Sequence, residues 1–348
     1  MAPVFDGHND LLFRLWQKDP ATAVLGFVDG EQGGQLDLPR MHDGGFAGGF
    51  FAVFVPSDGG GLAVNHQTLN PPPYKQVEYE SADKTMREML DLFHRLVVEV
   101  PGRGFRHCLT VADIKQARAD GAIAAILHME GAEAIGPDLS ELDELHALGL
   151  RSIGPVWSRP NVFGEGVPFA WPSSPDTGAG LTAEGKDLIR ACNTKRIMID
   201  LSHMNLKGFW DVANISSAPL VATHSNCHAL TPSARNLLDE QLRGIGESRG
   251  MVGLNYAIDF LQTDGSISTA IAPEVLIRHL EHMIKLAGED CVGLGSDFDG
   301  AHIPDFIHDV SGLPRLVDAM REAGFGEKLI AKITHENWVR LLQETWGA

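Results

Sequence analysis

The chain has 348 residues, 44% hydrophobic and 21% charged, with 38 Gly and 19 Pro, a composition that excludes collagen-like, low-complexity and disordered chains. Its 46 Asp and Glu outweigh 28 Lys and Arg, and the net charge of −18 leaves no basic stripe to hold nucleic acid or an anionic membrane. A chain this long makes either two ordinary domains or one large α/β barrel.

Short apolar runs recur along the whole chain. In order they lie at 4–5, 49–55, 123–127, 152–156, 197–201, 220–223, 251–254 and 291–295. Each is short, mostly apolar and usually close to a glycine, as a strand buried on both faces in a parallel sheet should be. Between them lie stretches of helical period. Leu276, Leu280, Met283 and Ala287 share one face of a segment that starts at Pro273 and stops at Gly288. Residues 314–324 repeat that Pro-first, Gly-last pattern, and 79–98 and 326–345 are expected to be the longest helices. Eight strands each followed by a helix predict a (β/α)8 barrel over 1–348, as one catalytic domain. An open doubly wound sheet is the alternative, but no G-x-G-x-x-G opens a helix after a strand.

Two segments, 57–75 and 158–180, are rich in Gly, Pro, Asn and Ser and longer than an ordinary βα connection. They are expected to leave the carboxyl ends of the second and fourth strands, where barrel loops shape the active site. Cys108, Cys192, Cys227 and Cys291 lie far apart with no Cys-x-x-Cys, and are expected to be reduced and buried. No basic leader followed by an apolar stretch opens the sequence and no run is long enough to span a bilayer, so a cytoplasmic location is expected.

The strand ends carry the chemistry. The first gives Asp6-Gly7-His8-Asn9-Asp10, the third His128-Met129-Glu130-Gly131 and the fifth Leu201-Ser202-His203. The sixth gives Ala222-Thr223-His224-Ser225 and the eighth Ser296-Asp297-Phe298-Asp299-Gly300. A lone strand-end His is usually just a hydrogen-bonded residue, and Glu130 alone would simply pair with an Arg. Several imidazoles and carboxylates on one rim are different, because their burial costs several kcal/mol unless a cation neutralises them. Strand alternation lets His8 and Asp10 grip one ion, Glu130 bridge two, and His203 with His224 complete a second site. Imidazole and carboxylate without thiolate suit zinc, with manganese or cobalt as alternatives. A pair of such ions predicts hydrolysis.

This set, with Ala234-Arg235-Asn236 and the late Gly295-Ser-Asp297-Phe-Asp-Gly300, resembles the membrane (renal) dipeptidase family, peptidase family M19. The resemblance runs from residue 4 to at least 300. It implies an amidohydrolase-type (β/α)8 barrel with two zinc ions per chain, a homodimer, and small dipeptides, L-Xaa-L-Xaa or L-Xaa-D-Xaa, as substrates. His8 and Asp10 would bind the first ion, Glu130 would bridge, and His203 and His224 would bind the second. Asp297 would take the proton from a metal-bridging hydroxide and pass it to the leaving amine. Asp299 would support the loop. Arg235 would clamp the substrate's terminal carboxylate with its fork of donors.

One position departs from the family. Its dipeptidases carry a substrate-binding histidine in the fourth-strand loop, where this chain has Trp157, while the nearby Asn161 is kept. Indole donates one hydrogen bond and accepts none. Trp157 N–H, Arg159 or the second zinc is then left to support the oxyanion, with His128 as a further substitute, or the substrate is not an ordinary dipeptide. The second reading is therefore a metal-dependent hydrolase of N-acyl-amino acids or other small amides. An idle barrel that only binds is disfavoured by the intact ligand set.

Overall fold

Eight parallel strands form a closed ring in the computed structural model, which describes residues 2–30, 33–57, 73–100 and 104–347. They are β1 (Val4–Asn9), β2 (Phe46–Phe54), β3 (Ile123–Glu130) and β4 (Leu150–Gly154). Then come β5 (Met198–Ile199), β6 (Val221–Ala222), β7 (Met251–Leu254) and β8 (Val292–Leu294). Hydrogen bonds join them in the order β5-β4-β3-β2-β1-β8-β7-β6, and a parallel bridge between Asp200 and Val221 closes the ends. Helices follow the strands, so the fold is a (β/α)8 barrel.

Alternation along β3 sorts side chains into layers. Ile123, Ala125, Leu127 and Met129 pack in the shell between strands and helices, while Ala124 and Ile126 join an inner cluster with Phe5, Phe50, Met198, Val221 and Met251. The next residues of that inner parity are His128 and Glu130, so the polar groups sit above an apolar floor. Trp338, from the helix Asn337–Trp346, plugs that floor, and its indole Nε1 donates to Leu294 O at 3.0 Å. Gly7 and Gly293 make room for it, since a Cβ on either would lie 2.6 Å from the indole. Truncating a buried Trp costs about 3–5 kcal/mol, so this plug is a principal anchor of the barrel. With the amino-terminal end filled, the carboxyl-terminal mouth is left for the site.

The expected helices at 79–98, 273–287 and 314–324 are found as Tyr79–Glu99, Pro273–Ala287 and Leu313–Glu322. The one expected over 326–345 is divided into Glu327–Ala331, a π turn at Lys332–Glu336 and Asn337–Trp346. A short strand, Phe105–His107, pairs parallel with β3 outside the ring, and Pro160–Asn161 forms a small hairpin with Gly164–Glu165. Neither has an apolar run, so hydrophobic pattern could not reveal them. The 158–180 segment does leave β4, whereas most of 57–75 (58–72) lies outside the described residues. All four cysteines are buried and free. Among the described residues no helix is long and apolar enough to cross a membrane.

Candidate metal centre and active site

Glu130, the last residue of β3, brings the strand ends together. Its Oε1 lies 3.5 Å from His8 Nε2, 2.9 Å from His203 Nε2 and 3.6 Å from His224 Nε2. Asp10 Oδ2 is 3.4 Å from His8 Nε2, and the two far imidazoles approach to 3.0 Å between their Nε2 atoms. Among the described residues three groups of possible ligands result: His8 with Asp10 and Asp297 on one side, Glu130 with His203 and His224 on the other, and His8 with Asp200 and His224 beneath them.

The backs of the rings are held differently. Ser158 Oγ meets His203 Nδ1 at 2.8 Å, and Thr223 Oγ1 meets His224 Nδ1 at 2.8 Å. Among the described residues, buried His8 has no hydrogen-bond partner on either ring nitrogen, and Asp10 Oδ1 has none either. Orphaned buried polar atoms are rare, and a cation on His8 Nε2 and Asp10 Oδ1 would account for two of these three.

The electrostatics agree with that reading. Burial raises Glu130 well above the usual carboxylate range and lowers His203 and His224 well below the usual imidazole value, with Arg235 and His8 adding to the fall. For His8, burial acts downward, but facing Glu130 and Asp10 it is pushed up to about 10. A buried cluster in which Glu130 resists ionising, His203 and His224 resist protonation and His8 is driven to take up a proton lacks a positive charge at its centre, which a divalent cation would supply. An all-imidazole and carboxylate donor set fits zinc.

Asp297 sits at the mouth just after β8, with φ of 62°, a left-handed conformation fixed by its backbone N–H donating to His8 O at 3.0 Å. Burial raises its carboxyl, although the amide of Asn255 donates to Oδ2 at 2.9 Å and opposes this. Arg235 is buried beside the histidines. It donates to Ser202 O and, at 3.3 Å, to His224 O, its guanidinium carbon is 5.2 Å from the Phe260 ring centre, and its Nε has no partner among the described residues. Burial lowers it to about 10.

A pocket of about 430 Å³, open mouth included, lies over these groups and is lined by Asp10, Glu130, His203, Arg235 and Asp297. Phe54, Trp157, Phe169 and Phe260 form its aromatic wall, and Asp259, Gly300 and Ala301 complete the lining with Ala257. Trp157 therefore reaches the site. Asn161 does not line it: its amide donates to Pro155 O at 2.8 Å and its oxygen accepts from Phe163 N at 2.8 Å, which shapes the loop instead. Arg159 is also turned away, held by Glu133, Ser57 and Val55. His128 lies under His8, bonded to Ser152 Oγ at 2.8 Å, and does not line the pocket either. Asp299 binds Arg14 and the Gln35 backbone, as a loop support should.

The profile of the membrane dipeptidase family, peptidase family M19, matches residues 1–346. The chain belongs to that family. A metallo peptidase from Rhodobacter sphaeroides, crystallised with a phosphinate mimic of the dipeptide L-Ala-D-Ala, is 53% identical, superposes with a TM-score of 0.95, and each chain covers 99% of the other. Dipeptidase AC, a metallo peptidase of family M19, is likewise 53% identical at a TM-score of 0.95, covering 100% of this chain and 99% of its own. An uncharacterized protein from the PQQ-III 3′ region of Acinetobacter calcoaceticus is 44% identical over 81% of this chain and 89% of its own. This family member is thus an enzyme of the metallo-dipeptidase class.

Four residues of this dipeptidase-family site escape sequence reasoning. Asn255 follows β7, whose end carries neither His nor carboxylate, so it gave no metal-ligand signal. Ser158 and Thr223 are common residues next to conspicuous ones. Asp200, directly after β5, is buried and had a signal, a lone carboxylate inside the apolar run 197–201, but no histidine beside it in that run.

Proposed function

We propose that this enzyme is a binuclear zinc dipeptidase that hydrolyses L-Xaa-L-Xaa and L-Xaa-D-Xaa dipeptides. The observation that carries the reading is one carboxylate oxygen, Glu130 Oε1, facing three imidazole nitrogens within 3.6 Å beneath a buried arginine. His8 and Asp10 would hold one ion, His203 and His224 the other, with Glu130 shared. Bound zinc would supply an acidified water and polarise the scissile carbonyl.

The chain's own residues supply the rest. Arg235 binds the C-terminal carboxylate and orients the peptide bond over Glu130. Asp297 takes the proton of the attacking water and delivers it to the leaving nitrogen, while Asn255 holds its Oδ2 in place. Phe54, Trp157, Phe169 and Phe260 exclude water and confine the side chains. The mimic held by the Rhodobacter sphaeroides relative supports a small substrate with a D-residue on its C-terminal side.

One observation favours the second reading, an N-acyl-amino-acid hydrolase: Trp157 packs with Phe54, Tyr74 and Phe169, ring centres 5.1, 5.0 and 5.5 Å away, a wall suited to an apolar acyl group. The test is a panel of L-Xaa-L-Xaa, L-Xaa-D-Xaa and N-acyl-Xaa compounds with zinc-loaded protein and a chelated control. Chelator-sensitive cleavage of free dipeptides is expected. Cleavage confined to acylated compounds would transfer the assignment to the second reading, and two retained zinc ions with no turnover of any dipeptide would overturn the first.

A further inference from the structure

Asp200 is buried at the junction of β5 and β6, and four donors converge on it. Its Oδ1 accepts from the backbone N–H of Ser202 at 3.1 Å, the Ser202 hydroxyl at 2.7 Å and the backbone N–H of Thr223 at 2.9 Å. Its Oδ2 faces the Thr223 hydroxyl at 2.6 Å, with His128 Nε2 further off at 3.7 Å. An ionised carboxylate only accepts, so the single Thr223 hydroxyl proton goes to Asp200. The hydroxyl then has only lone pairs to offer its other neighbours, the Ser202 hydroxyl at 3.2 Å, whose own proton goes to Asp200, and His224 Nδ1 at 2.8 Å. That nitrogen must carry the hydrogen. In a neutral imidazole the other nitrogen is then bare, and His224 Nε2 is the atom that faces Glu130 and His203.

We infer that Asp200, acting through Thr223, is a positioning residue that locks His224 in the Nδ1–H tautomer and turns the Nε2 lone pair toward the centre of the site. Among the described residues, the other two rings lack this relay: His203 is backed by the Ser158 hydroxyl and His8 Nδ1 has no partner. Outer partners of this kind fix ligand tautomers in metal sites, and a carboxylate does the same for the histidine of hydrolytic triads. The consequence for zinc rests on the proposed metal site. The position of the proton does not.

Asp200→Asn makes a directional test. The three donors at Oδ1 select the amide oxygen, which leaves the amide NH2 facing Thr223. Thr223 then accepts from Asn and donates to His224 Nδ1, so the ring proton moves to Nε2. Metal-free protein labelled with 15N-histidine, observed by NMR at a pH where the ring is neutral, reads the tautomer directly, and His224→Gln assigns the signal. Nδ1–H is expected for His224 in the wild type and in Thr223→Ser, and Nε2–H in Asp200→Asn. In chelator competition the weaker-held zinc of Asp200→Asn should lose about 10–100-fold in affinity, and Thr223→Ser should stay within about threefold of wild type.

Nε2–H in the wild type, or no change of tautomer in Asp200→Asn, would overturn the inference. Should Asp200→Asn fail to fold, Thr223→Val removes the hydroxyl at constant shape and is expected to lose zinc affinity to a similar degree. Unchanged affinity there would overturn the inference equally. A wild type that binds no zinc would instead sink the metal site, and the tautomer of its metal-free form would still decide the relay.

Discussion

Gly300 stands three residues after Asp297 on the loop that follows β8, and a Cβ built on it lies 2.0 Å from Asp10 Oδ2 and 2.6 Å from Asp297 Oδ1. Ordinary contact begins near 3.4 Å, so in Gly300→Ala the Asp10 carboxylate must withdraw by more than 1 Å, and Asp297 by somewhat less. Both obstacles are side-chain ends and not backbone, so the fold can absorb the methyl, but only by displacing the proposed ligand of the first ion and the proposed proton-transfer group. A misplacement of about 1 Å in such a group costs about 100-fold in rate. Gly300→Ala should therefore lose about 100-fold or more in dipeptide kcat/KM and release one zinc ion to chelator ahead of the other. Its Tm should stay within a few degrees of wild type. Gly326→Ala is the matched control, since a Cβ there meets nothing within 4 Å. A Gly300→Ala enzyme within threefold of wild type, with both ions retained, would refute the placement of Asp10 and Asp297 in the chemistry.

Three further outcomes follow from the same geometry. Glu130→Gln keeps the shape but puts an amide among three imidazoles, and zinc content should fall below one ion per chain with activity reduced about 1,000-fold or more, read by metal analysis and turnover. Arg235→Lys replaces a fork by a point charge, so kcat/KM should drop about 100-fold for free dipeptides yet less than 10-fold for dipeptide amides; equal losses would remove the carboxylate clamp. Away from the site, burial lowers His107 and His335 to about 4, with a hydrogen bond to Gly149 opposing it for His107 and Arg118 adding to it for His335. Unfolded histidine takes up its proton near pH 6.5, so the unfolded chain binds more protons between about pH 6.5 and 4. Their contribution is complete above pH 6.5 and is lost as pH falls toward 4, a few kcal/mol in total as an order of magnitude. Urea midpoints from pH 7.5 to 5 should fall less steeply in His107→Gln/His335→Gln than in wild type.

Much of the architecture was legible before any coordinate. Apolar runs of strand length marked all eight ring strands, because a parallel strand buried on both faces has to be apolar along its length. Their ends blurred by a few residues where the run turned polar: β1 reads as two apolar residues but continues through Asp6, Gly7, His8 and Asn9. Polar residues at and just beyond the carboxyl ends line the candidate site, so His8, Asp10, Glu130, His203 and His224 could be proposed from strand position, while the role proposed for Asp297 came from resemblance to the family. Arg235 and Trp157 were also placed at the pocket, by resemblance to the family and not by pattern.

Other features depend on distances through space that no local pattern encodes. Asn161 and Arg159 stand close to Trp157 in sequence, yet the turn of the loop directs their donors to Pro155, Glu133 and Val55. His128 shares a strand face with Glu130 but lies one layer lower, under His8, because barrel side chains stack in layers. Asn255 reaches Asp297 across 42 residues of chain, and Asp200 reaches Thr223 across 23. The sequence by itself determined which residue types stand at the ring's open end, since strand period and apolar content are local properties of the chain. Only closure of the barrel decided which of them face one another, because a hydrogen bond or a shared ligand shell is set to within a fraction of an ångström by strands that meet from opposite ends of the sequence.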